Sequence, residues 1–164
     1  MKNIFLIICI GISVSGFAQK KLSKLLKQQN TESIPYISVE ALQNESKNII
    51  LLDSREEKEF KTSHLKNAIY VGYDFFNLDS VQSKLKNKNS KIVVYCSLGV
   101  RSEDVAEKLK KAGYSNVYNL YGGIFEWKNN DLEVLNLNEK PTDSIHIYSK
   151  AWSEWLKKGV KVYE

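Results

Sequence analysis

One cysteine stands where a chain can make a sulfur atom reactive. Cys96 opens the run Cys96-Ser97-Leu98-Gly99-Val100-Arg101-Ser102. It directly follows Lys91-Ile92-Val93-Val94-Tyr95, an apolar, β-rich segment that reads as a buried strand. The residues after it, Glu103 to Lys111, read as an amphipathic helix. A strand, a short glycine-containing loop and a helix start place the thiol over a ring of backbone N–H groups. Such a ring, with a helix N-terminus, suits an anion. It also favours the thiolate, the nucleophilic form of cysteine.

The chain holds two cysteines, Cys9 and Cys96. Cys9 lies within an apolar run, residues 4–12, that follows Lys2 and precedes small residues at 15, 16 and 18. Residues 1–18 therefore read as a secretory signal peptide, cleaved after Ala18. The run is too short to span a bilayer, which takes roughly 20 residues. Cys9 sits mid-core among isoleucines rather than after small residues, which argues against a lipid anchor. With the signal removed, Cys96 is alone in a compartment where disulfides form readily. The expected location is the periplasm or the medium.

The remaining elements must position that sulfur. After a helical and polar lead-in (19–34), strands and helices alternate. Tyr36-Ile37-Ser38 reads as a strand, with Ser38 capping a helix from Val39 to about Ser46. Ile49 to Leu52 is a continuous apolar run, as in a strand covered on both faces. A helix near Glu56 to Lys61, a strand over Ala68 to Val71 and a helix over Ser80 to Lys86 follow. Gly113 closes the helix after Cys96, Val117 to Leu120 is a strand, and Gly122-Gly123 lead into a helix through Trp127. This order predicts an α/β fold with a parallel sheet and helices on both faces. Ligands of such sheets bind at the carboxyl ends of strands, where Cys96 stands. Leu132 to Thr142 reads as irregular. Ser149 to Lys158 reads as an amphipathic helix with Trp152, Trp155 and Leu156 on one side.

The 164-residue chain carries a net charge of +5. Lysines are interspersed with acids, as on solvated helix faces, so nucleic-acid binding is not expected. A mildly positive protein suits a small anionic substrate. No metal site and no cofactor are expected.

With these residues in place, the chain resembles the single-domain rhodanese-type sulfurtransferases over roughly 35–130. The likeness rests on Cys96-x-x-Gly99-x-Arg101-Ser102 together with Leu52-Asp53-Ser54-Arg55-x-x-x-Glu59-Phe60. His64-Leu65-x-x-Ala68-Ile69 and Asn119-Leu120-Tyr121-Gly122-Gly123-Ile124-x-x-Trp127 complete it. The resemblance implies a five-stranded parallel sheet and persulfide chemistry at Cys96. Sulfane sulfur would come from a small anionic donor such as thiosulfate and pass to cyanide, a thiol or a protein cysteine. Ser97, Leu98, Gly99, Val100, Arg101 and Ser102 would bind the donor, with Arg101 pairing its oxyanion and Ser102 capping the next helix and also donating to the sulfur. Asp53 and Arg55 would fix the pocket wall, and Arg55 with Glu59 also allows an i, i+4 helix pair. His64 would order a loop, while His146 carries no signal. Tyr121 and Trp127 are expected to pack in the core, with Tyr121 nearer the pocket rim, and Phe75-Phe76 to wall the pocket or pack inside. The six-residue span from Cys96 to Arg101 is one residue shorter than phosphate-handling relatives use, which favours sulfur. Glu103 and Asp104 suit the helix N-terminus but lower the positive potential near the sulfur. A protein-binding module and a persulfide relay to a protein partner are the rival readings. The segment 131–164 forms an extension with its amphipathic helix.

Overall fold

Apolar strands that read as buried on both faces require helices on each side, and the chain folds that way. The computed structural model describes residues 20–45 and 48–163, so the segment 1–18 read as an export signal lies outside the described residues. The chain divides at Thr31 into two units. In the first, helix α1 covers residues 20–29, with Leu22 and Leu26 buried four positions apart on one stripe.

The second unit, Glu32–Glu164, alternates strand and helix. Its elements run β1 (Tyr36–Ile37), α2 (Val39–Asn44), β2 (Ile50–Asp53), α3 (Glu57–Thr62), β3 (Ile69–Tyr70), α4 (Leu78–Lys84), β4 (Ile92–Tyr95), α5 (Arg101–Lys111), β5 (Val117–Leu120) and α6 (Gly123–Asn129). The five strands form one sheet in the order β1-β5-β4-β2-β3, and every neighbouring pair is parallel. From β2 the chain moves outward to β3, whereas from β4 it moves the opposite way to β5. The crevice of this switch lies beyond the carboxyl ends of the central strands. Cys96 is the first residue beyond β4.

All four residues of β4 are buried. Ile92 and Val94 join Leu52, Val81, Leu85, Val105, Ala106 and Leu109 in one core cluster. Val93 and Tyr95 point to the other face by strand alternation and are equally buried. Helices therefore cover both sides. Ser38 caps α2 as its sequence indicates, its Oγ accepting the Ala41 N–H at 3.1 Å.

Two readings are corrected. Helix α5 starts at Arg101, with Val100 in the capping position and no side-chain cap. Ser102 is thus inside the helix, where its hydroxyl turns to Asn119 Oδ1 at 2.7 Å instead of to backbone. The extension also lacks the expected Ser149–Lys158 helix. Strand β6 (Val134–Leu135) pairs antiparallel with β7 (Pro141–Thr142), and β8 (Ser144–His146) pairs parallel with β9 (Val160–Val162). Between β8 and β9 only Lys150–Trp152 form a 3₁₀ turn. The Asn129 side chain stops further winding: its Nδ2 donates to Trp155 O, and its Oδ1 accepts the Lys157 and Lys158 N–H groups.

Candidate active site

Cys96 is fully buried, at 0% exposure, and is not in a disulfide. Its Sγ accepts the Gly99 N–H at 3.1 Å, and Ser102 Oγ lies 3.5 Å away. Gly99 has φ +106°, a conformation that glycine adopts without steric cost. The loop's carbonyls are drawn the other way. Cys96 O accepts the Ile124 N–H at 2.9 Å, and Ser97 O accepts the Phe125 N–H at 3.2 Å. The first turn of α6 thereby turns these acceptors away and leaves a donor for the sulfur. The approach is close enough that a Cβ on Gly123 would lie 2.3 Å from Cys96 O.

Asn119, on β5, braces the loop from the strand side. Its Nδ2 donates to Gly99 O at 2.8 Å and to Glu103 Oε2 at 3.1 Å. Its Oδ1 accepts from Ser102 Oγ, whose single proton is then not offered to Cys96 at the same time. Sequence alone assigns Asn119 no role beyond membership of the stretch Asn119-Leu120-Tyr121-Gly122-Gly123. The available signal was a polar side chain inside the short strand Val117–Leu120, since a buried amide needs partners. Glu103 is itself buried and accepts the Ser33 N–H at 3.1 Å. Asp104 accepts the Tyr73 hydroxyl at 2.6 Å, a bond that pushes Tyr73 up to about 12. Both acids of the first turn are thus engaged in specific bonds.

The Nη atoms of Arg101, which the sequence suggested for an oxyanion, are taken inside the protein, and its buried Nε is left without a partner among the described residues. Its Nη1 and Nη2 donate to Glu59 Oε2 and Oε1 at 2.7 and 2.8 Å, and Nη2 also reaches Ser97 Oγ at 3.0 Å. Ser97 Oγ donates in turn to Glu59 Oε1 at 2.9 Å. A planar fork matches a carboxylate as well as it matches a sulfur oxyanion, and here the carboxylate is built in. Burial alone would lower the Arg101 pKa. The Glu59 hydrogen bonds, with the charges of Cys96 and Glu59, outweigh it and hold Arg101 above its ordinary value. Burial likewise pushes Glu59 up, yet Arg101 and Arg55 bring its carboxyl below the ordinary 4.5.

Arg55 does not pair with Glu59 along the helix. It grips Asp53, with Nη2 to Oδ2 at 2.6 Å and Nε to Oδ1 at 3.0 Å, and donates to Ser63 O at 2.5 Å. Both residues are buried. The pair ties the end of β2 to the end of α3 and so aims Glu59 at Arg101. Leu98 is buried and Val100 half-buried in the loop.

The other singled-out residues stand apart from the sulfur's partners. His64 stacks on Phe60 at 4.3 Å, and its backbone exchanges both hydrogen bonds with Leu135, tethering the extension. Tyr121 packs edge-on against Tyr36. Trp127 is half-buried and donates to Glu133 O, so it is not a core residue. Phe75 is 92% exposed, not a pocket wall, whereas Phe76 packs against the core cluster. His146 is buried, with Nδ1 accepting the Tyr148 N–H at 3.1 Å. Beside it lies a cleft of about 200 Å³ lined by His146, Ile147, Tyr148, Ser149, Lys150 and Tyr163. Among the described residues no group of three His, Cys, Asp or Glu could hold a metal, and no helix is long and apolar enough to cross a membrane.

Residues 38–130 match the family model of the rhodanese-like domain. The chain belongs to that family. Within it, the rhodanese-like chain is 33% identical over 130 residues to the tRNA uridine(34) hydroxylase of Buchnera aphidicola, covering 76% of this chain and 41% of that one. It is 31% identical over 104 residues to YrkF of Bacillus subtilis, a candidate sulfur carrier protein, covering 60% and 54%. The chain therefore spans about half the length, or less, of these curated relatives. A thiosulfate sulfurtransferase from Pseudomonas aeruginosa shares the fold at a TM-score of 0.57 and 20% identity, over 63% of this chain and 20% of that one.

Proposed function

We propose that this rhodanese-like chain is a sulfurtransferase that carries sulfane sulfur as a persulfide on Cys96. The observation that carries the proposal is the Gly99 N–H aimed at Cys96 Sγ at 3.1 Å, in a loop whose carbonyls are held away by α6. A preorganised donor at the sulfur favours an anion there, and both the thiolate and the persulfide are anions. In the first half-reaction the Cys96 thiolate attacks the outer sulfur of a donor such as thiosulfate. A Cys–S–S bond forms, the donor S–S bond breaks, and sulfite leaves with the electron pair. In the second, an acceptor nucleophile attacks the terminal sulfur and Cys96 leaves as the thiolate. No external oxidant or reductant enters the cycle.

Arg101, committed to Glu59, serves the loop's architecture in this scheme, and donor contact falls to the backbone amides from Ser97 to Ser102. A relay to a protein thiol is the second reading, favoured by the likeness to a candidate sulfur carrier. The hydroxylase relative matches over a minor part of its own length, so its activity is not carried over. Initial rates of thiocyanate formation from thiosulfate and cyanide test the proposal. Parallel double-reciprocal lines, abolished by Cys96→Ser, are expected for covalent ping-pong transfer. Equal rates in wild type and Cys96→Ser would overturn it.

A further inference from the structure

Arg101 has a second set of neighbours that the sulfur chemistry does not use. Its Cζ lies 4.4 Å from the ring centre of Tyr148 and 5.8 Å from that of Trp152. The two rings contact each other at 5.1 Å, tilted by 45°. Both belong to the segment between β8 and β9, beyond the residues 38–130 that match the family. Because β8 and β9 pair in parallel, the segment crosses over from the carboxyl end of β8 to the amino end of β9 and is anchored at both. Asn129 fastens its second half through Trp155, Lys157 and Lys158, and Lys161 Nζ adds a bond to Ser153 O. Arg101 is thus held by Glu59 and Ser97 along its Nη atoms and by two aromatic rings, and is only 5% exposed.

The backbone at Tyr148 is unusual for an aromatic residue. Its φ is +60°, in the left-handed region where glycine and asparagine are at home. The turn is closed by Tyr148 N–H on His146 Nδ1 and by Ser149 N–H on Ile147 O at 2.5 Å. Tyr148 as a whole stays 50% exposed, so its burial is only partial. Its ring faces a guanidinium that is itself almost fully buried. A cation over an aromatic face is attracted most strongly when water is excluded.

We propose that Tyr148 and Trp152 are positioning residues of the active site: they hold Arg101 against Glu59, and thereby keep the Cys96 loop in the shape that aims the Gly99 N–H at the sulfur. The catalytic part of this inference rests on the persulfide reading. Arg101 opens α5 two residues after Gly99, the donor to Cys96 Sγ. An arginine released from the rings loosens that donor, exposes the sulfur and spoils the seat of the donor anion. The extension is then a working part of the site rather than an appendage.

The test compares Tyr148→Phe, which keeps the π face, with Tyr148→Leu, which keeps apolar bulk and loses it. Trp152→Leu is the second probe, and thermal unfolding confirms that each variant is folded. Two rates are read: alkylation of Cys96 by iodoacetamide, which needs no sulfur donor, and thiosulfate–cyanide kcat/KM. The leucine variants are expected to alkylate about tenfold faster yet transfer sulfur about tenfold slower, while Tyr148→Phe stays within about twofold of wild type on both. Leucine variants matching Tyr148→Phe on alkylation would overturn the inference, and so would leucine and phenylalanine variants that fail alike. A wild type that transfers no sulfur refutes the persulfide reading instead, and the alkylation comparison still decides whether the rings hold the loop.

Discussion

Glu59 links three parts of the chain that are remote in sequence. It accepts the Glu56 N–H at the cap of its own helix, the Ser97 hydroxyl in the loop and N–H groups from both Nη atoms of Arg101 in α5. At 1% exposure, an ion pair of this kind is costly to break from one side, because the partner is left charged and buried. The folded-state pKa of Glu59 lies below 4.5. Its contribution is therefore fully present above that value and is lost as pH falls through the folded-state value. Glu59→Gln is expected to lower unfolding stability by about 3–5 kcal/mol near neutral pH, with the gap to wild type narrowing as the pH falls below the ordinary 4.5. Urea unfolding of both proteins across that range checks this, and a gap that does not depend on pH would contradict it. Cys96 and the glycine of its loop were legible from residue types alone. The pairing of Arg101 was not, because an arginine near a cysteine suits a ligand oxyanion and an internal carboxylate equally. The Arg55–Glu59 spacing was misleading for the same reason. Helical spacing permits a pair, but Asp53, two residues before Arg55, offers the tighter fork.

At the level of elements, α6 matters more than its sequence announced. Its first amides take the Cys96 and Ser97 carbonyls, and the approach leaves no room for a side chain at Gly123. Gly123→Ala sets a Cβ 2.3 Å from Cys96 O and 2.7 Å from Ser97 O, at a φ of +55°. We expect a loss of about 2–5 kcal/mol and a collapse of sulfur transfer, measured by thermal unfolding and thiocyanate formation. Gly113→Ala is the control, since nothing lies within 4 Å of its Cβ position. It is expected to cost about 1 kcal/mol through backbone strain alone. Equal losses in the two variants would mean that the close approach of α6 is unimportant. The strands and helices of the α/β unit were readable because apolar runs, caps and glycines agree with one another. The helix expected over Ser149–Lys158 does not form because Asn129, distant in sequence, holds the backbone of its second half, while Trp152 turns to Arg101.

Across the whole molecule, a parallel sheet delivers one thiol to the end of its central strand. Four separate supports then fix its loop. Strand β5 supplies Asn119, helix α3 supplies Glu59, helix α6 supplies the Ile124 and Phe125 amides, and the extension supplies Tyr148 and Trp152. The first three lie within the residues matching the rhodanese-like family, while the fourth is outside them. The central claim is that this frame makes Cys96 a carrier of sulfane sulfur. Intact mass of the reduced protein before and after thiosulfate tests it most directly, with Cys96→Ser alongside. A gain of one sulfur atom on the wild type alone, removed again by cyanide, is the predicted result. An unchanged wild-type mass, or an equal gain on Cys96→Ser, would contradict the account.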